Sequence, residues 1–264
     1  MEAQTYTIYE TASGETITLE QVAEACAKAD IVFFGEQHDD SIAHALQNEL
    51  LQLLYAKRAG KVALSMEMFE TDVQHILDEY LNDQILESFL YKDARTWSNY
   101  ETDYKPMVDF AKEKGISVVA ANAPRRYVRI VSRNGMEALN GLPKSAKKLL
   151  PKLPYKVLEG RYQDKFFDLM GGHGGGRMMN IYHSQNLWDA SMANAIFNYW
   201  RKHKDELVYH LCGRFHSDEK LGTVKHLLER KSKLNVVTIS CFGKDQEDDS
   251  PEWYRQLADF VITH

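Results

Sequence analysis

No stretch of the chain holds the roughly 20 consecutive apolar residues that a membrane-spanning helix needs, so nothing in the sequence reads as a span. There is no excess of positive charge either. The 32 Lys and Arg stand against 38 Asp and Glu, for a net charge of −6 and a pI of about 5.9. That leaves no broad basic surface for a phosphate backbone, and nucleic acid is a poor candidate partner. Cysteine is scarce. Cys26, Cys212 and Cys241 are widely spaced with no C-x-x-C, and the last two sit in apolar runs, where a free buried thiol is the usual occupant. The opening MEAQTYTIYE has neither a basic n-region nor an apolar h-region, so no signal peptide is expected in this chain. The run HGGG at His173–Gly176 matches a lipase oxyanion loop, but no G-x-S-x-G nucleophile elbow accompanies it, and the serine-hydrolase reading fails.

What remains is an ordinary globular composition: 264 residues, 44% hydrophobic and 27% charged, enough to bury a full core. Five short segments rich in apolar and β-branched residues read as buried strands: 31–34, 62–66, 117–121, 207–212 and 236–241. Between them lie helical patterns. Residues 41–59 end at Gly60, 105–114 end at Gly115, and 217–231 form an amphipathic stretch. Strand and helix in alternation predict an α/β fold, a mainly parallel sheet flanked by helices. Two crossovers are oversized, about 50 and about 85 residues, well beyond usual connection lengths. The second predicts a large, mostly helical insertion between the third and fourth core strands, 123–205, within one domain spanning 1–264. The tail WYRQLADFVITH fits a terminal hairpin or a short helix docked on the core.

Ligands of an open parallel sheet gather at the carboxyl edge of its strands. The first strand runs through IVFFGEQHDD and delivers Glu36 and His38 there; the second delivers Glu67 and Glu70. The third delivers Asn122, Arg125 and Arg126, and the fourth Arg214, His216 and Asp218. Taken alone, Glu36 or Glu67 reads equally well as a carboxylate at a helix N-terminus, and Asp39 and Asp40 as helix caps. His44, His75, His203, His210 and His226 read as packing or surface histidines. Jointly, Glu36, His38, Glu67 and His216 could bind a divalent metal or supply an acid–base pair.

A second candidate site follows the glycine-rich run 171–176. Tyr182, Gln185 and Asp189 share a helical stripe that continues into Met192 and Ile196, and such a stripe is more often core than cofactor site. Its start nevertheless offers His173, Arg177, Met178, Met179, Tyr182 and His183, the mix that a flat apolar ligand with a metal centre requires.

These segments, in order, resemble the ChaN-type haem-binding proteins, often described as iron-regulated lipoproteins. The markers are FFGEQHDD with HALQNELL, SMEMFE, the W-x-x-Y-x-x-x-Y-x-P run from Trp97 to Pro106, ANAPR, SQNLWDASMA at Ser184–Ala193, and CGRFH. The resemblance covers about Ile31 to Leu228. It implies haem binding in bacterial iron acquisition, with a tyrosine as axial ligand, an assisting histidine, and two haems stacked at a homodimer contact. Tyr182 or His183 would then meet the iron, Met178 and Met179 the porphyrin, and Arg177 a propionate. The lipid anchor and export segment of exported members are missing from this chain. The implied location is the periplasm or outer membrane if such a segment was removed, and the cytoplasm otherwise. The strand-end motifs also look like a wider group that includes erythromycin esterases and Tiki-type metal-dependent proteases. There G-E-x-H and G-x-x-H carry hydrolysis, matched here by Gly35–His38 and Gly213–His216, with Mn, Co or Zn as the implied metal.

Overall fold

The computed structural model describes residues 6–172, 175–243 and 250–264. Its elements run β1 (Thr7–Glu10), β2 (Glu15–Ile17), α1 (Leu19–Cys26), β3 (Ile31–Glu36), α2 (Ser41–Lys57), β4 (Val62–Glu70), α3 (Gln74–Leu81), α4 (Glu87–Asp93), α5 (Lys105–Lys114) and β5 (Val118–Asn122). There follow α6 (Arg125–Asn134), α7 (Lys144–Lys147), α8 (Arg161–Leu169), α9 (Gly175–Trp200), β6 (Leu207–Gly213), α10 (Gly222–Arg230), β7 (Val236–Phe242), α11 (Pro251–Leu257) and β8 (Phe260–Thr263). The strands form one sheet in the order β2-β1-β8-β7-β3-β6-β4-β5. All pairings from β8 to β5 are parallel, and β1 joins β8 and β2 antiparallel.

The five expected strands are β3 to β7, and they are buried for the reason their sequences suggested. Period-2 alternation sends Ile31, Phe33, Val208 and Cys212 against Met192, Ile196, Val224 and Leu227 of α9 and α10. Val32, Phe34, Tyr209 and Leu211 face α1, α2 and α5 on the other side. Both faces are covered, so the strands carry no polar stripe. Helix starts and stops follow local chemistry. Asp40 Oδ1 accepts from the backbone N–H of Ile42 and Ala43, capping α2. Gly115 ends α5 at φ +67°, a left-handed conformation that costs glycine nothing.

The segment 123–205 is helical, holding α6 to α9. Its last helix is one of the helices that cover the sheet, since α9 buries Met192, Ala193 and Ile196 on the face shared with α10. The C-terminal tail is helix α11 followed by an eighth strand rather than a hairpin. The N-terminal hairpin β1–β2 extends the sheet beyond β8 through antiparallel pairing.

Candidate functional site

The carboxyl ends of β3, β4, β5 and β6 meet at a cleft of about 250 Å³, lined by His38, Glu67, Glu70, Trp97, Asn122, Arg125, Trp188 and His216 among others. Glu67 and Glu70 are three residues apart, a spacing that points to opposite faces in a regular strand. The pairing of β4 with β5 shifts register between Met66 and Glu70, and this irregularity lets both carboxylates reach the cleft.

Two glycines hold the walls together. A Cβ on Gly35 would lie 2.5 Å from Ser217 Oγ and 2.9 Å from Arg214 Cα, so only glycine lets the loop after β6 close over the end of β3. A Cβ on Gly213 would lie 2.9 Å from Cε1 and Nε2 of His38. The glycines of both motifs are therefore packing requirements. Gly35→Ala is expected to cost about 1–3 kcal/mol by overpacking, read as a lower urea midpoint with an unchanged slope.

Glu36 is 1% exposed. Its Oε1 is 2.9 Å from His38 Nδ1 and accepts from the Tyr104 hydroxyl at 2.5 Å, while Oε2 accepts from the Gln47 amide at 2.5 Å and lies 3.4 Å from His44 Nε2. Burial works to raise its pKa, but the bonds from His38, His44 and Tyr104 outweigh it and hold the carboxyl below its ordinary value. His38 is the exposed member of the pair, edge-on to Trp97 at 4.9 Å between centroids, with its carbonyl accepting from Asn99. Burial opposes its charge, yet the bond to Glu36 and the charges of Glu67 and Glu36 raise its pKa.

His216 sits deeper. Its Nδ1 is 2.7 Å from Asp189 Oδ1 and its Nε2 3.5 Å from Glu67 Oε1. Asp189 is fully buried and also accepts from Tyr162 at 2.5 Å and Thr223 at 2.9 Å; Glu67 Oε2 accepts from the Gly213 N–H at 2.8 Å. Burial alone would lower the His216 pKa, but the two carboxylates carry it up to about 9. At neutral pH this imidazole is a cation, suited to donating a proton or holding an anion rather than to acting as a base.

Of the four strand-end candidates, His38, Glu67 and His216 line the cleft and Glu36 lies buried behind His38, and they stand as carboxylate–imidazole pairs rather than a metal cluster. Among the described residues they supply no group of three ligand atoms within 4.8 Å of one another. The Mn, Co or Zn centre expected there finds no support, since these side chains are engaged with one another: His38 with Glu36, and His216 with both Asp189 and Glu67. Sequence reasoning passed over His44, Gln47, Tyr104 and the link from Asp189 to His216. His44 and Gln47 lie at i, i+3 on α2 within HALQNELL, a spacing that places both on one face, toward Glu36.

The second candidate site lies at the start of α9. Tyr182 is fully buried, its hydroxyl donating to the Leu158 carbonyl among Tyr162, Phe166 and Phe167. Burial pushes its pKa up to about 12. As placed, its hydroxyl is turned toward the Leu158 carbonyl rather than toward solvent. His183, one residue on, is half-buried; burial lowers its pKa, and among the described residues its Nδ1 has no hydrogen-bond partner. Met178 and Met179 are half-buried and Arg177 is exposed. The expected contact His173 lies outside the described residues. Across the glycine-rich run, Leu169 and Met170 are exposed by 71% and 43%, two of the large apolar side chains most open to solvent. These residues fit a flat apolar group with a metal centre: a neutral imidazole, thioether walls, an apolar lip and a cation for an acidic substituent.

Over its whole length the fold is similar to a solved structure described as cofacial heme binding to ChaN of Campylobacter jejuni, with a TM-score of 0.74 and 19% identity covering 99% of this chain and 98% of that one. The type III effector HopBA1 is similar at a TM-score of 0.51 and 13% identity, covering 93% and 92%. In sequence, the chloroplastic protein RETICULATA-RELATED 5 of Arabidopsis thaliana is 25% identical over 139 residues. That alignment takes in 49% of this chain, which spans only 18% of the plant protein's length. Residues 22–227 match the family described as haem-binding uptake, Tiki superfamily, ChaN, and the chain belongs to that family.

Proposed function

We propose that this protein binds haem in haem uptake, with His183 on the iron. The observation that carries the reading is membership of a haem-binding uptake family over residues 22–227. The likeness along the full chain to a ChaN solved with cofacial haem supports it. Haem would supply an iron centre to be carried; the chain supplies a ligand, a shelter and a counter-charge. His183 suits the iron because its lowered pKa keeps the imidazole neutral and able to coordinate. Met179, one helical turn before it, and Met178 would lie against the macrocycle, and Arg177 would meet a propionate. Leu169 and Met170 supply exposed apolar surface that a second copy carrying its own haem would cover. Pairing of two copies, and an extracytoplasmic location, belong to the same proposal.

The variants His183→Ala and Tyr182→Phe test the ligand assignment. His183→Ala is expected to lose the ligand-field signature of bound ferric haem and to weaken binding, while folding as before. Tyr182→Phe should keep the spectrum and lose about 1 kcal/mol of stability for its buried hydrogen bond. If Tyr182→Phe loses the spectrum and His183→Ala keeps it, the iron is held by the tyrosine after rearrangement of α9.

A second reading rests on the pairing of Glu36 with His38 and of Asp189 with His216 around one cleft. That arrangement suits hydrolysis, with His38 at the mouth handling the water and the His216 cation facing a developing oxyanion. Turnover of a small ester that vanishes in His38→Ala, with hemin binding intact, would establish it; no turnover above background in the parent chain removes it.

A further inference from the structure

Outside both sites, one group of side chains remains without a role. A carboxylate oxygen of Asp40, Cys241 Sγ and an imidazole nitrogen of His264 lie within 4.8 Å of one another, alone among the described residues in bringing three such atoms together. They come from three elements at the same sheet edge. Asp40 caps α2 just after β3, Cys241 is near the end of β7, and His264 directly follows β8. The parallel register pairs Cys241 with Ile262, so period-2 alternation puts His264 on the same side of the sheet as Cys241.

We infer that Asp40, Cys241 and His264 form a binding site for a divalent cation of the zinc class, separate from the haem and the strand-end cleft. The donor set is one carboxylate oxygen, one sulfur and one imidazole nitrogen, the combination that borderline cations select over magnesium or calcium. Burial keeps the Cys241 thiol protonated in the empty site, so binding would release that proton to solvent, and the thiolate with Asp40 would then balance the charge of a divalent ion. Asp40 is free to take part because its two oxygens are divided: Oδ1 accepts from the α2 backbone, and Oδ2 faces His264 at 2.7 Å. Ligands of a tetrahedral zinc stand roughly 3.3 Å or more apart, so the Asp40–His264 contact has to open by a little over half an ångström. His264 can make that movement, since its side chain is 16% exposed while Cys241 is fully buried. Three protein ligands leave a fourth position for water. An ion here would tie β7 and β8 to the first turn of α2, and so hold the loop that carries His38.

The competing account is a plain hydrogen-bonded clasp between His264 and Asp40. Cobalt(II) added to the haem-free full chain separates the two, because a thiolate–cobalt bond has its own near-ultraviolet charge-transfer band. One equivalent of cobalt is expected to produce that band together with tetrahedral visible bands, and zinc should displace both. Cys241→Ser should abolish the thiolate band, His264→Gln should weaken cobalt binding, and Cys26→Ser should change neither. Hemin binding in Cys241→Ser should match the parent chain, which keeps this result separate from the haem reading. Absence of a thiolate band in the parent chain, or its survival in Cys241→Ser, overturns the site and leaves the clasp.

Discussion

Replacing Asp189 with alanine is expected to cost about 3–5 kcal/mol, the range for removing one partner of a buried charge pair. Asp189 is fully buried on α9 and accepts from three side chains: Tyr162 on α8, His216 after β6, and Thr223 on α10. The substitution leaves two hydroxyls and one imidazolium without their acceptor in a site water does not reach. Each orphaned hydroxyl adds roughly 1–3 kcal/mol of desolvation cost, so the upper half of the range is the better expectation. Asp189→Asn keeps the volume and one acceptor oxygen and should lose less, while lowering the His216 pKa. Urea denaturation checks both variants. A loss below about 1 kcal/mol for Asp189→Ala would mean that His216 is not held as a buried cation.

Stability should fall on both sides of a mildly acidic plateau. His216 has its pKa raised from an ordinary 6.5 to about 9 by Glu67 and Asp189 acting against burial. Its folded state therefore binds a proton that the unfolded chain releases earlier. The contribution is complete below pH 6.5 and disappears as pH rises through 9. It amounts to something on the order of 3 kcal/mol. Glu36 works in the opposite direction. Its pKa is held below the ordinary 4.5, so its contribution is present above that value and is lost as pH falls. Unfolding free energies across the pH range should show both limbs, and His216→Gln should flatten the alkaline one alone. An alkaline limb unchanged in His216→Gln would assign it to another group.

The parallel core was readable because its strands are covered on both faces. Runs such as IVFF carry no polar residue to disguise them and VALSM only Ser65, and glycines follow the helices between them, at Gly60 and Gly115. The strand-end constellation followed from the rule that ligand-bearing loops gather at one edge. The antiparallel border was not readable. Strand β1 pairs with β8, from the opposite end of the chain, and four-residue strands such as TIYE and FVIT carry too little pattern to announce such a partner.

Around the cleft, sequence spacing identified the residues that touch it but not those that hold them. His44 reads as a packing histidine by its spacing, and it is buried 3.4 Å from Glu36 and 3.3 Å from Asp103. Tyr104 reaches Glu36 across 68 positions of sequence, a contact no periodicity encodes. The α9 stripe teaches the reverse lesson. Tyr182, Gln185, Asp189, Met192 and Ile196 all face inward, as helical spacing indicates.

Titrating the haem-free chain with hemin, while following the Soret band and the sedimentation coefficient together, tests the haem assignment most directly. The Soret band is expected to saturate at one haem per chain, and the protein to sediment as a dimer once saturated. Absorbance that grows without saturation, in a chain that stays monomeric throughout, would contradict it.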